Sequence, residues 1–187
     1  QAWYPGQQGG KAVAEVLFGD YNPAGKLPVT FYRNVSQLPD FEDYNMTGRT
    51  YRYMQDVPLF PFGYGLSYTT FGYGKTVLDK NELTAGQSLK LTVPVTNTGK
   101  CNGEEVVQVY LRKQGDAEGP IKTLRAFKRV SIPAGKTVNV EFDLKDKELE
   151  WWDDQSNTVR VCPGNYDIMV GGSSKEEDLQ RTTIAIK

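Results

Sequence analysis

"LKLTVPV" at residues 89–95 and "VNVEFDL" at residues 138–144 set the reading of this chain. In the first, Leu89, Leu91, Val93 and Val95 alternate with Lys90, Thr92 and Pro94; in the second, Val138, Val140, Phe142 and Leu144 alternate with Asn139, Glu141 and Asp143. Successive side chains of an extended strand point to opposite faces, so an apolar period of two means a strand with one face buried. Pro94 lacks the N–H that a ladder needs and reads as an edge or bulge position.

Outward from these two runs, Glu105 to Arg112, Leu124 to Ile132, Tyr166 to Val170 and Arg181 to Ile186 read as further strands, with Tyr73 to Leu78 as the first, which makes seven. Turn residues stand between them at Asn97 to Gly103, Ala134-Gly135 and Pro163-Gly164. Seven short strands over 71–187 predict a mainly β fold, an immunoglobulin-like or fibronectin type III-like seven-stranded β-sandwich. Tyr166, just past the Pro163-Gly164 turn, stands where a tyrosine corner hydrogen-bonds back to upstream backbone.

The first 33 residues follow a different logic. Ala12, Val13, Val16 and Leu17 form one stripe of a short helix from Lys11 to Phe18, with Gly19 placed for a left-handed C-terminal cap. Asn22-Pro23-Ala24-Gly25 makes a turn, and Leu27 to Phe31 reads as a strand interrupted by Pro28. A lone helix and strand of this size cannot bury their own apolar faces, so 1–33 reads as a short α/β remnant of a larger domain. Residues 34–70 lack periodicity but carry Tyr51, Tyr53, Phe60, Phe62, Tyr64 and Tyr68, and Phe71 follows them. So aromatic a connector reads as a strap held on folded surface rather than a free linker. The helix stripe is expected to pack on the sandwich through this strap or against a second copy of the chain, a homodimer.

Composition excludes several classes. Across 187 residues the formal net charge is −1 with no run of like charge, so neither nucleic acid nor an anionic membrane surface is an expected partner. No apolar run approaches the ~18 residues of a membrane span, and residue 1 opens no signal peptide. Histidine is absent, which excludes a Ser-His-Asp triad, a Cys-His pair and histidine-ligated metal within these residues. Cys101 and Cys162 fall in loops at opposite ends of the expected sandwich and read as free thiols. No cofactor or metal site is expected.

Paired carboxylates are the minimum apparatus for glycoside hydrolysis. Glu42-Asp43, Asp153-Asp154 and the lone Asp20 are the candidates, but adjacent loop acids are more often solvated surface or caps, and none is assigned a catalytic role. "GQQGG" before the helix fits neither dinucleotide nor P-loop spacing and reads as a structural turn. Trp151 and Trp152 offer faces for sugar rings, against the expectation that at least one plugs the sandwich end. Asn34-Val35-Ser36 and Asn45-Met46-Thr47 are glycan acceptors only in a eukaryotic secretory route.

"WYPGQQGGKAVAEVLFGDYNPAGKLPVTFY" resembles the last helix and strand of the second, α/β sandwich domain of glycoside hydrolase family 3. "PLFPFGYGLSYTTF" resembles the segment leading from it, and "NTGKCNGEEVVQVYLR", "LRAFKRVSIPAGKTVNVEFDL" and "CPGNYDIMVGGSS" resemble successive parts of that family's fibronectin type III-like domain. "GRTYRY" is similar to the branch that contains β-xylosidases and arabinofuranosidases, which favours xylosides over the alternative, β-glucosides. The resemblance implies a secreted, periplasmic or cell-surface retaining exo-β-glycosidase acting on a β-linked saccharide. Its nucleophilic aspartate comes from an N-terminal (β/α)8 barrel and its acid/base glutamate from the second domain. Neither position matches a residue of this chain, so the expected partners are the missing barrel and α/β domain, with no catalytic residue here and the substrate-binding residues unassigned. Gln1 then reads as a cut edge, and the chain as a supporting tail. A carbohydrate-binding module and a dimerisation module are the alternatives. Arg49, Tyr51, Arg52 and Tyr53 are candidates for the rim of the parent's pocket, weighed against a role as interface anchors.

Overall fold

The computed structural model describes residues 1–187. Helix α1 spans Gly9–Phe18 and is closed by Gly19, whose φ of 84° is left-handed and whose N–H returns to the Val16 carbonyl. Irregular backbone with one 3-10 turn leads to the four-residue helix α2 (Thr50–Tyr53). Three short strands follow, β1 (Phe71–Tyr73), β2 (Val77–Leu78) and β3 (Glu82–Leu83). The long strands are β4 (Leu89–Asn97), β5 (Gly103–Lys113), β6 (Thr123–Ile132) and β7 (Thr137–Leu144). After helix α3 (Asp146–Leu149), the hairpin of β8 (Trp151–Asp153) and β9 (Thr158–Arg160) precedes β10 (Gly164–Gly171) and β11 (Gln180–Ile186).

These strands form the expected sandwich. In one sheet β4 is central, flanked by β7 on one side and by β1 and β2 on the other; the second sheet runs β3-β11-β10-β5-β6. Because β6 pairs with β5 instead of joining β4 and β7, the arrangement departs from the constant-type immunoglobulin pattern, in which the fourth strand joins the first sheet. The alternation read over 89–95 and 138–144 is realised: Leu91, Val93, Val140 and Phe142 meet Val109, Leu111, Ile168 and Ile184 in one buried cluster. Tyr166 Oη donates to the Cys162 carbonyl at 2.9 Å, four residues upstream, which is the tyrosine corner.

Four expectations need correction. The first strand is split, because β1 ends at Tyr73 and β2 begins at Val77. Pro94 is the reason, and it does not make β4 an edge. Its carbonyl accepts from Gly74 N–H at 2.7 Å, so its donorless nitrogen faces the same flank, where the partner strand is interrupted. Leu27–Phe31 forms no regular strand. With Pro28 unable to donate, it bonds intermittently to the strap: Leu27 N–H to Tyr64, Gly63 N–H to Leu27, and Phe31 N–H to Phe60. Finally, the α1 stripe is not covered by the sandwich. Tyr68 Oη reaches the Val16 carbonyl at 2.5 Å and Val16 is half-buried, but Val13, Leu17 and Phe18 are 41%, 72% and 84% exposed. The strap touches only the end of α1 because its path lies over the sandwich.

That path makes a third layer. On β5 the residues between the core positions, Gln108 and Tyr110, point away from the opposite sheet yet are buried, as is Met169 of β10. The strap covers them. Tyr51 stacks on Phe62 at 4.3 Å between ring centroids and meets Tyr110 edge-on at 5.9 Å, while the Ser174 N–H donates to the Phe62 carbonyl.

Candidate functional site

Where strap and sandwich meet, their side chains are fixed by burial and by paired polar groups. Glu105, on β5, is 5% exposed; Lys26 Nζ approaches its two carboxylate oxygens at 3.2 Å each, and Tyr73 Oη donates to it at 2.8 Å. A buried carboxylate needs such partners. Burial, then the Glu105 charge, drives the Tyr73 phenol far above its ordinary range, so it stays a donor. This trio pins the turn after α1 to the second sheet. Beside it Gln108 Nε2 donates to the carbonyls of Gly63 and Gly172, and its Oε1 accepts from Tyr110.

A cleft of about 590 Å³ opens between the strap and the sandwich, lined by Arg33, Tyr51, Phe60, Tyr64, Lys122 and Glu176 among others. Lys122 is buried, with Nζ 2.8 Å from both the Ser174 carbonyl and Glu176 Oε2. Arg33 Nε is engaged by the Val57 carbonyl. Of the acids that line the cleft, Glu176 is paired with Lys122 and Glu177 with Lys175, which leaves Asp56 without a facing free carboxylate.

The acids singled out from sequence are likewise engaged or apart. Asp43 accepts from the backbone and side chain of Asn45, which lowers its pKa, and Glu42 is exposed beside it. Asp20 lies exposed after the α1 cap. Asp153 accepts from Ser156 Oγ at 2.6 Å and Arg160 Nε at 2.7 Å, while Asp154 accepts from the Trp152 indole. The Ser156 hydroxyl first, and Arg160 second, lower the Asp153 pKa from 3.8 to about 2. A depressed acid stabilises the fold above its ordinary value and loses that contribution as pH falls through about 2. A carbon-detected titration should therefore place the Asp153 midpoint near 2, and Ser156→Ala should raise it; a wild-type midpoint near its ordinary 3.8 would contradict this hydrogen-bonded loop.

Trp151 plugs the sandwich end, 3% exposed, with its indole N–H on Asp116 at 2.6 Å and its ring edge-on to Tyr166. Trp152 is half exposed. In "GQQGG", Gly9 is buried where any Cβ would stand 2.5 Å from Pro5, a packing role. Both sequon asparagines are engaged locally, Asn34 by Ser36 and Asn45 by Asp43. Cys101 is exposed and Cys162 buried, each a free thiol, at opposite ends of β5.

The four rim candidates divide. Arg49 turns back on the carbonyls of Asn45 and Asp43. The Tyr51 hydroxyl accepts from Leu124 N–H at 3.0 Å, and the Arg52 carbonyl accepts from Ile121 N–H at 2.6 Å, so α2 is seated on the start of β6. The Arg52 guanidinium lies over the Tyr53 ring at 5.6 Å. Sequence reasoning missed Arg125, which is the extra residue of a β-bulge: Val109 pairs with Ala126 and Tyr110 with Leu124. It lies over Trp151, also at 5.6 Å, and donates to the Glu150 carbonyl. A bulge is invisible to a period-two pattern.

A fibronectin type III-like sandwich wrapped by an aromatic strap from a preceding helical segment defines the class. The Glycosyl hydrolase family 3 C-terminal domain model matches residues 1–68, and the fibronectin type III-like domain model matches residues 105–174. The chain is 55% identical over 186 residues to the xylan 1,4-beta-xylosidase of Xylanibacter ruminicola, which covers 100% of this chain and 21% of that protein. It is 37% identical over 187 residues to the periplasmic beta-glucosidase of Salmonella typhimurium, covering 93% of this chain and 24% of that one. A beta-glucosidase structure from Erythrobacter marinus superposes with a TM-score of 0.84 at 42% identity, over 100% of this chain and 25% of that chain. The chain belongs to glycoside hydrolase family 3. It spans about a fifth to a quarter of the length of these relatives.

Proposed function

We propose that these residues are the C-terminal part of a longer, exported, retaining exo-β-glycosidase acting on β-xylosides, and that they support its catalytic domains without turning over substrate. The observation that carries the reading is the 55% identity, across the whole chain, to a protein named as a xylan 1,4-beta-xylosidase. On this reading 1–33 ends the α/β sandwich domain, 34–70 connects it, and 71–187 is the fibronectin type III-like domain; the start of β1 at Phe71 agrees with the last boundary. The exposed Val13, Leu17 and Phe18 are covered by the rest of the α/β domain. Nucleophile and acid/base lie in the domains outside this chain, consistent with acids here that are committed to Arg160, Lys26 or local caps. Export agrees with the relative named periplasmic, and no helix is long and apolar enough to cross a membrane.

A β-glucosidase is the second reading, favoured by the Salmonella and Erythrobacter relatives. A carbohydrate-binding role for the sandwich has less support: the strap occupies an outer sheet face, and Trp151 is buried. The test is hydrolysis of 4-nitrophenyl β-xyloside and β-glucoside by the longer protein and by residues 1–187 alone. The longer protein should cleave the xyloside faster and the shorter chain neither. Faster glucoside cleavage transfers the assignment to β-glucosidase, and cleavage by the shorter chain overturns the supporting role.

A further inference from the structure

Arg52 and Arg125 form a cationic pair that no carboxylate of the chain directly engages. Neither takes part in any ion pair, whereas Lys26, Glu105 and Lys122 at the strap interface do. The Nε atoms of both are buried and have no hydrogen-bond partner. The two are brought together by backbone: Tyr51 Oη bonds Leu124, the neighbour of Arg125, and the Arg52 carbonyl bonds Ile121. Burial first, and the Arg52 charge second, lower the Arg125 pKa, and the weaker pull of Tyr51 and Glu150 does not offset them. A buried like-charge pair costs stability unless a counter-charge is present.

The surroundings hold the pair in place. Each guanidinium rests on an aromatic face, Tyr53 or Trp151. Arg125 owes its direction to a β-bulge, a device that re-aims a side chain. Thr50, which opens α2, has a φ of 57°, a left-handed conformation that a β-branched residue adopts only under constraint. Planar guanidinium forks match a carboxylate, and the cleft between strap and sandwich includes neither arginine, so a single small group fits better than a sugar chain.

We propose that Arg52 and Arg125 receive one carboxylate, and that it belongs to an acidic side chain of the domains that the longer relatives carry outside this chain. The occupant rests on the reading given under Proposed function; the anion site itself does not.

Thermal unfolding of Arg52→Gln tests the occupant in two settings. In residues 1–187 alone, loss of one guanidinium relieves repulsion, so the melting temperature holds or rises. In the longer protein it falls by several degrees, and Arg52→Lys, which keeps the charge, recovers part of that fall. An equal fall in both settings overturns the proposal, because Arg52 then serves only the strap. The site is tested in residues 1–187 by nitrogen-15 signals of the arginine Nε–H groups, titrated with sodium acetate, sodium D-glucuronate and sodium chloride at equal ionic strength. Saturable acetate shifts at Arg52 and Arg125, lost in Arg125→Gln, are expected; acetate shifts no larger than those with chloride overturn the site. Glucuronate binding that persists in the longer protein overturns the proposed occupant in favour of an acidic saccharide. None of these readouts is hydrolysis, so inactivity on both nitrophenyl glycosides would sink the glycosidase reading separately.

Discussion

Trp151→Ala is expected to destabilise the sandwich by about 3–5 kcal/mol, and Trp152→Ala by no more than about 0.5 kcal/mol. The two residues are adjacent on β8 and differ only in the face they take. Trp151 belongs to the main core cluster, meets Tyr166 at 6.1 Å and carries the Arg125 guanidinium, so its loss opens a cavity beneath the tyrosine corner and leaves Asp116 without its 2.6 Å donor. Trp152 faces outward and bonds only Asp154. Urea unfolding of residues 1–187 followed by circular dichroism separates the cases. Equal midpoints for the two variants would mean that Trp151 is not the plug described here.

The second large effect is at the strap. Gly63→Ala is expected to cost about 2–5 kcal/mol, in two parts. Gly63 has a φ of 78°, which an L side chain adopts at a cost of about 1–2 kcal/mol. Its new Cβ would stand 2.8 Å from Gln108 Cδ and closer still to Oε1, displacing a buried amide whose bonds to Gly63, Gly172 and Tyr110 join strap to sheet. Leaving such a group unpaired costs about 1–3 kcal/mol. Gly115→Ala is the control, because φ is 77° there and nothing lies within 4 Å; only the backbone part should appear. Limited proteolysis should cut the Gly63→Ala strap far faster than that of Gly115→Ala. Equal cutting would show that Gln108 does not hold the strap.

Much of this was legible in the residues themselves. β4 and β7 announced themselves because each has one buried face, and Tyr166 because its turn is marked by Pro163-Gly164. What escaped depends on partners remote in sequence. Pro94 reads as an edge or bulge residue, and only Gly74, where the strand facing it is interrupted, decides against the edge. β3 and the β8-β9 hairpin are too short for a period to register. The strap's aromatics predicted adhesion, and Tyr51 and Phe62 do adhere, but no local pattern says which sheet face they cover. The helix stripe was correctly read as apolar; of its two expected covers, the sandwich is not the one that serves, since Tyr68 reaches only Val16. Arg125 was hidden because a bulge shifts register without changing composition.

The splitting of the first strand also governs how isolated copies of this chain behave in concentrated solution. A sheet recruits another chain through a long, flat, unpaired edge. Here one edge consists of the three-residue β1 and two-residue β2, and another of the two-residue β3. The remaining edges carry Arg125, Lys128 and Arg129 on β6 and Glu141 and Asp143 on β7. Backbone templating into fibrils is thus blocked at every border, while Leu17 and Phe18 of α1 stay bare. Clumping of such copies proceeds through side chains alone, so mild detergent disperses it and amyloid dyes do not stain it.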